Sequence, residues 1–152
     1  EKNSDEVINQ LMITRGMLPD SKGAVHWSIG PLLKYSNLSK ALLDGPYKNQ
    51  ALVPASPWLD SKIPTAPVVI FQTLLDNLNV TWAHDNKLDV FKWIVYYRYD
   101  NGPWQYNILS KNESSVELSK IQEETKATIT HVAVSAVSRT GNESDFKEIR
   151  IE

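Results

Sequence analysis

The sequence contains no cysteine, which excludes a disulfide framework, a thiolate metal site and a cysteine nucleophile. It also lacks a marked excess of either charge: 16 Lys plus Arg stand against 18 Asp plus Glu, for a net charge of -2. A strongly basic nucleic-acid-binding face is therefore not expected. No apolar run approaches the ~20 residues of a membrane helix; the longest, at 129–137, is interrupted by His131 and Ser135. The chain opens Glu-Lys-Asn-Ser-Asp, without an initiator Met or an apolar signal segment, which leads us to expect a mature or excised segment. What is present is ordinary globular material. The 152 residues are 41% apolar and 22% charged, which suits one domain, or a small domain with an appendage.

The sequence changes character near residue 62. Four of the eight prolines, Pro54, Pro57, Pro64 and Pro67, fall within 53–67. Proline fixes φ, removes a donor and pushes the preceding residue toward extended geometry. This stretch reads as a semi-rigid connector between a first part, 1–62, and a second, 63–152. In the first part, Ser4 or Asp5 can cap a helix carrying Val7, Ile8, Leu11 and Met12 on one face, ended by Gly16 and Pro19. A short strand is expected at 23–29, and Leu32, Leu33, Leu38, Leu42 and Leu43 suggest one or two short helices closing at Asp44-Gly45-Pro46. A single strand lacks a partner for its backbone groups, so 1–62 does not read as a domain by itself.

The second part has period two. Seven short strands are expected, at 68–74, 79–82, 91–99, 104–109, 115–118, 128–138 and 146–151, separated by turn residues such as Asn101-Gly102-Pro103 and Thr140-Gly141-Asn142. That spacing predicts an antiparallel two-sheet sandwich. Alternation assigns Phe91, Trp93, Val95, Tyr97 and Tyr99 to the core, with Lys92, Ile94, Tyr96 and Arg98 on the other face. Val132, Val134, Ala136 and Ser138 are likewise set inward, and Trp82 joins Trp93 in the core.

Residues 63–152 resemble a fibronectin type III domain of the kind appended to bacterial polysaccharide-processing enzymes. The resemblance is carried by Val80-Thr81-Trp82, by Trp93-Ile94-Val95-Tyr96-Tyr97-Arg98 and by the stretch from Val132 through Ser138-Arg139-Thr140-Gly141-Asn142 to Ser144. Thr130 stands where such domains usually carry a corner Tyr, so that hydrogen bond is expected to be absent or replaced. Residues 5–60 resemble the tail of the glycosyl hydrolase-like family 10 barrel of Bacteroides-type exported lipoproteins, through the run from Ile8 to Arg15, Gly23-Ala24-Val25-His26-Trp27-Ser28, and the run from Leu42 through Gly45-Pro46-Tyr47 to Pro57-Trp58-Leu59. This second resemblance implies an α/β remnant of a (β/α)8 barrel. It also implies an extracytoplasmic location, the rest of the parent polypeptide as partner, and catalytic carboxylates upstream of this chain.

The chain's own residues agree with a role other than catalysis. Glycoside hydrolysis needs two carboxyls about 5–9.5 Å apart, whereas Asp20, Asp44, Asp60, Asp85, Asp89 and Asp100 lie in turns or beside basic residues. His26, His84 and His131 lack neighbours at metal-ligand spacing. No nucleophile elbow or phosphate loop is present, and neither metal nor cofactor is expected. Four Asn-X-Ser/Thr triplets occur, at Asn37, Asn79, Asn112 and Asn142; if the source is bacterial, as the resemblance implies, they carry no weight.

Aromatics supply the binding candidates. Trp27 is expected near the end of a barrel strand, either to stack on a sugar or to pack on a helix. Trp104 and Tyr106 share a face and with Tyr96 form either a carbohydrate platform or a cover for the sheet. Trp58 is expected to fill an interdomain contact. The leading expectation is a non-catalytic accessory region bracing or spacing a catalytic barrel; the rivals are a carbohydrate-binding module with a polysaccharide partner, and a protein–protein adhesion domain. Val7, Leu11, Leu33, Leu42 and Leu43, severed from a barrel, would expose an apolar face, so a dimer through 1–62 is expected, or packing around Ile94 and Tyr96.

Overall fold

A computed structural model describes residues 4–18 and 23–151. The chain divides into two compact units, Glu1–Ala51 and Leu52–Glu152. Among the described residues no helix is long and apolar enough to cross a membrane.

The first unit holds three helices, α1 (Ser4–Met17), α2 (Gly30–Lys34) and α3 (Ser36–Asp44). Leu11, Leu38 and Leu42 are buried in a small cluster, with Val7, Ile8, Leu32, Tyr35 and Tyr47 packed around them. Val7, Ile8 and Leu11 share one helical face, as the sequence suggested, but Met12, expected with them, is 53% exposed and outside the cluster. Gly16 does not end α1, which continues through Met17; a helical glycine costs only about 1 kcal/mol. Pro19, the other expected terminator, lies outside the described residues. Pro31 occupies the first turn of α2, where its missing N–H is harmless. After α3 the amide of Tyr47 donates to Leu42 O at 2.9 Å. Arg15 Nη1 donates to Pro46 O at 2.9 Å, tying α1 to that turn.

Two expectations for this unit are corrected. The strand at 23–29 does not form: the segment is irregular, with Val25 93% and Trp27 96% exposed. A strand needs a neighbour for its N–H and C=O groups, and the described residues of this unit offer none. The described part of the unit is thus helical, and no (β/α)8 remnant is shown. Nor is the apolar face of α1 and α3 left open, because Leu11 and Leu42 are inside the cluster. Only Leu33 and Leu43 of the expected set are largely exposed.

The second unit is a two-sheet antiparallel sandwich of β1 (Val68–Thr73), β2 (Asn77–Ala83), β3 (Lys92–Tyr99), β4 (Gln105–Ser110), β5 (Ser115–Ser119), β6 (Ile129–Val137) and β7 (Ile149–Arg150). One sheet has the order β1-β2-β5 and the other β4-β3-β6-β7. Leu78, Val80, Trp82, Trp93, Val95, Tyr99, Val132, Val134 and Ala136 make the core between them, and the Trp82 and Trp93 rings lie 6.0 Å apart. The alternation read from the sequence holds for these residues. Phe91 departs from it: it precedes β3, is 40% exposed, and lies under the Arg139 guanidinium at 5.1 Å.

The opposite face of the four-stranded sheet is also covered at its centre, since Ile94, Ala133, Ser135 and Val137 are buried. The chain after β6 turns back alongside it, and the Glu143 and Phe146 side chains reach onto this face. Glu143 bridges to Val137, Ser144 N donates to Ala136 O at 2.8 Å, and Ala136 N donates to Ser144 Oγ at 2.9 Å. The seventh strand, expected at 146–151, shrinks to Ile149–Arg150.

Thr130 replaces the corner tyrosine directly. Its Oγ1 lies 3.0 Å from Asp100 O and 3.3 Å from Arg98 O, donating to this pair of carbonyls. A tyrosine hydroxyl still reaches back to a carbonyl near this end of the core, but from β3: Tyr99 OH donates to Ser119 O at 2.9 Å. The proline-rich stretch is pinned by the β6–β7 connection. Asn142 Nδ2 donates to Asp60 O at 2.7 Å and to Lys62 O at 3.1 Å, and Ser56 N donates to Thr140 O at 2.8 Å. Gly141 sits at φ +81°, and a Cβ there would lie 2.7 Å from Val53 O. With Asn142 only 7% exposed and both amide protons engaged, that triplet is closed to modification.

Candidate functional site on the four-stranded sheet

The register assembles the site. Tyr96 stands opposite Tyr106 on β4 and Ala133 on β6, and Arg98 opposite His131, which in turn faces Arg150. Directly opposed residues of an antiparallel pair share a face, so these side chains form one surface, away from the Trp82–Trp93 core. Trp104, two residues before Tyr106, extends the same face although it lies just outside β4.

Two adjoining groups result. In one, the Tyr96 ring lies 6.4 Å from Tyr106 and 5.3 Å from Phe146. Tyr96 OH donates to Glu143 Oε1 at 2.7 Å, and Ser135 Oγ donates to the same oxygen at 2.6 Å. Burial, and then the Glu143 carboxylate, push the Tyr96 phenol well above the usual tyrosine range. In the other group, the Arg98 guanidinium lies 5.0 Å over the Trp104 ring and Nη2 is 3.0 Å from His131 Nδ1. The same Arg98 nitrogen is 3.4 Å from His131 Nε2; Nδ1 also lies 2.9 Å from Thr130 Oγ1, and Nε2 lies 3.5 Å from Glu148 Oε1. Glu148 also lies 3.6 Å from Arg98 Nη2. Buried Arg98 Nε finds no partner among the described residues.

The structure therefore brings Tyr96, Tyr106 and Trp104 together. Trp104 is 38%, Tyr106 42% and Phe146 49% exposed, so rings half-sunk in the surface present their remaining area to solvent. Trp27 belongs to the irregular stretch of the first unit, and Trp58 sits in a turn with 78% of its surface exposed. Sequence reasoning missed Phe146, Arg98, His131 and Glu143 as members. Arg98 shares parity with Tyr96, and this was the available signal; nothing local in the sequence places Phe146 on Tyr96. Among the described residues no group of His, Asp or Glu converges as a metal set. The face offers ring surfaces and a buttressed cation, which suit contact with a partner.

In an immunoglobulin constant domain the fourth strand joins the first sheet, whereas here β4 pairs with β3. The sandwich is fibronectin type III-like. Solved structures similar to it include the fn3 domain of the human collagen alpha-1(XX) chain (20% identity, 59% of this chain and 84% of that one, TM-score 0.47). Others are the FN1-FN3 domains of chicken CNTN1 (23%, 59% and 31%, TM-score 0.46) and the spore cortex lytic enzyme SleM of Clostridium perfringens (16%, 59% and 28%, TM-score 0.46). No protein-family model matches the sequence, and no curated relative matches it significantly. None of these comparisons supports the glycosyl hydrolase-like family 10 or lipoprotein resemblance of residues 5–60.

Proposed function

We propose that this chain is a non-catalytic accessory region of an exported protein, in which residues 63–152 space and brace a neighbouring catalytic domain. Residues 1–62 are, in this reading, the end of that glycosyl hydrolase-like domain, and the location is extracytoplasmic. The observation that carries the proposal is the outer face of the four-stranded sheet. Tyr106 on the hydrogen-bonded ladder, with Trp104 and Phe146 on the same face, presents half-exposed rings, while Glu143 and Glu148 are engaged by Tyr96, Ser135, Arg98 and His131. Carboxylates committed in this way are poorly placed to act as an acid/base pair. A rigid surface of rings is suited to contact.

One observation favours a second reading, carbohydrate binding. Arg98 backs one side of the Trp104 indole, which fixes the ring while leaving part of it open for a pyranose C–H face. Titrating the chain with cello-, xylo- and chito-oligosaccharides while following tryptophan fluorescence separates the two. Saturable quenching that disappears in Trp104→Ala identifies a glycan site, and a flat response leaves the spacer. Sustained glycan cleavage by the repurified chain would overturn both.

A further inference from the structure

A second surface lies on the open side of the sandwich. β1 is an edge strand of its sheet and β7 an edge strand of the other. Between them runs a cleft of about 750 Å3, lined by 67–71 on one wall and 147–150 on the other. The backbone on both walls is set up for pairing. Leu74 N bonds to Asn77 O, so in the β1–β2 ladder the even-numbered residues of β1 face β2. Val69 and Phe71 then direct their N–H and C=O groups to the open edge. Ile151 N likewise bonds to Thr130 O, which turns the backbone of Arg150 outward.

Edges of this kind are normally blunted by charge, proline or a bulge. β1 reads Val-Val-Ile-Phe-Gln-Thr, with none of these, and Val68 and Ile70 are 66% and 67% exposed. The facing wall is cationic. Lys147 and Arg150 are exposed and form no ion pair among the described residues, while Glu148 is turned to Arg98 and His131.

We infer that the β1–β7 cleft accepts an extended peptide segment of a partner protein. The segment adds as a strand to β1, with apolar side chains beside Val68 and Ile70 and acidic ones toward Lys147 and Arg150. Main-chain hydrogen bonds provide the affinity and the alternating side chains the selectivity. A second copy of this chain fits less well, because its own β1 carries no acid to meet the two cations. This site adjoins the ring-bearing face at Arg150, which stands opposite His131, but it uses none of the rings and does not depend on the function proposed for them.

The probe is acetyl-Val-Glu-Val-Glu-Val-Glu-Val-amide, with a fluorescent label for anisotropy, against a control in which every Glu is Lys. We expect saturable binding by the full chain, weakened about tenfold or more by Lys147→Glu with Arg150→Glu and by added salt. Amide exchange at Val69 and Phe71 should slow when the peptide is bound. Both cations are on the surface, so the charge variant keeps the fold, as its thermal melt will confirm. Val69→Pro removes one edge donor and should weaken binding as well; if it fails to fold, the charge variant carries the test. Equal binding of the Lys peptide, or unchanged exchange at Val69 and Phe71, overturns the inference. So does concentration-dependent protection without peptide, which would make the occupant a second copy.

Discussion

Tyr96 joins the two faces of the argument about the outer sheet, structural and electrostatic, and Tyr96→Phe tests them together. The substitution keeps the ring between Tyr106 and Phe146 and removes only the hydroxyl that donates to Glu143 at 2.7 Å. A hydrogen bond to a charged acceptor is worth about 1.5–3 kcal/mol. The site is partly solvated, so screening reduces this to about 1–1.5 kcal/mol at neutral pH. The native phenol is raised above its ordinary value, first by burial and then by Glu143. A raised native pKa stabilises fully below the unfolded value, about 10, and that contribution is lost as pH climbs from there toward the native value. One pH unit above the unfolded pKa, ionisation of the unfolded tyrosine costs the wild type about 1.4 kcal/mol. The Phe variant does not feel this cost. The gap between wild type and Tyr96→Phe should therefore be about 1–1.5 kcal/mol near pH 7 and close to zero near pH 11. Urea unfolding of both proteins across that range measures it. A gap that stays constant with pH would show that Glu143 and burial do not hold Tyr96 protonated, and would refute the reasoning.

Two other perturbations probe the framework. Gly141→Ala places a Cβ against Val53 O, at 2.7 Å, on a backbone with φ +81°; we expect a loss of about 1–3 kcal/mol, and an unchanged melting temperature would contradict it. Leu42→Ala removes one of three buried leucines of the helical unit. A loss of about 2–5 kcal/mol is more than so small a cluster can absorb, so the far-ultraviolet helical signal should fall, and full retention would refute the packing described.

The sandwich was legible because its signals are local. Turn residues punctuate the sequence at regular intervals, and alternation alone set Trp82, Trp93, Val95, Val132 and Val134 inward, where they are buried. The same alternation placed Ile94 and Ser135 on an outer face without revealing that the Glu143 and Phe146 side chains lie against it, since they come from beyond the turn that follows β6. Tyr96, Tyr106 and Trp104 could be grouped from parity and from the turn at 101–103. Phe146 read as strand, but the chain leaves the ladder there. The expected strand at 23–29 had suitable composition, yet pairing is decided by what lies alongside, and the described part of that unit contains only helices. Tyr99 was assigned correctly to the core, but its bond to Ser119 O depends on the meeting of β3 with the end of β5, which no local pattern encodes.

The clamp made by Asn142 has a mechanical consequence. Its amide holds Asp60 and Lys62 just ahead of β1, so traction applied from the amino-terminal side reaches this side chain before it reaches the β1–β2 ladder. The bond from Ser56 N to Thr140 O lies further out along the same stretch, so a pull from that side would meet the β6–β7 connection at two successive points before either sheet.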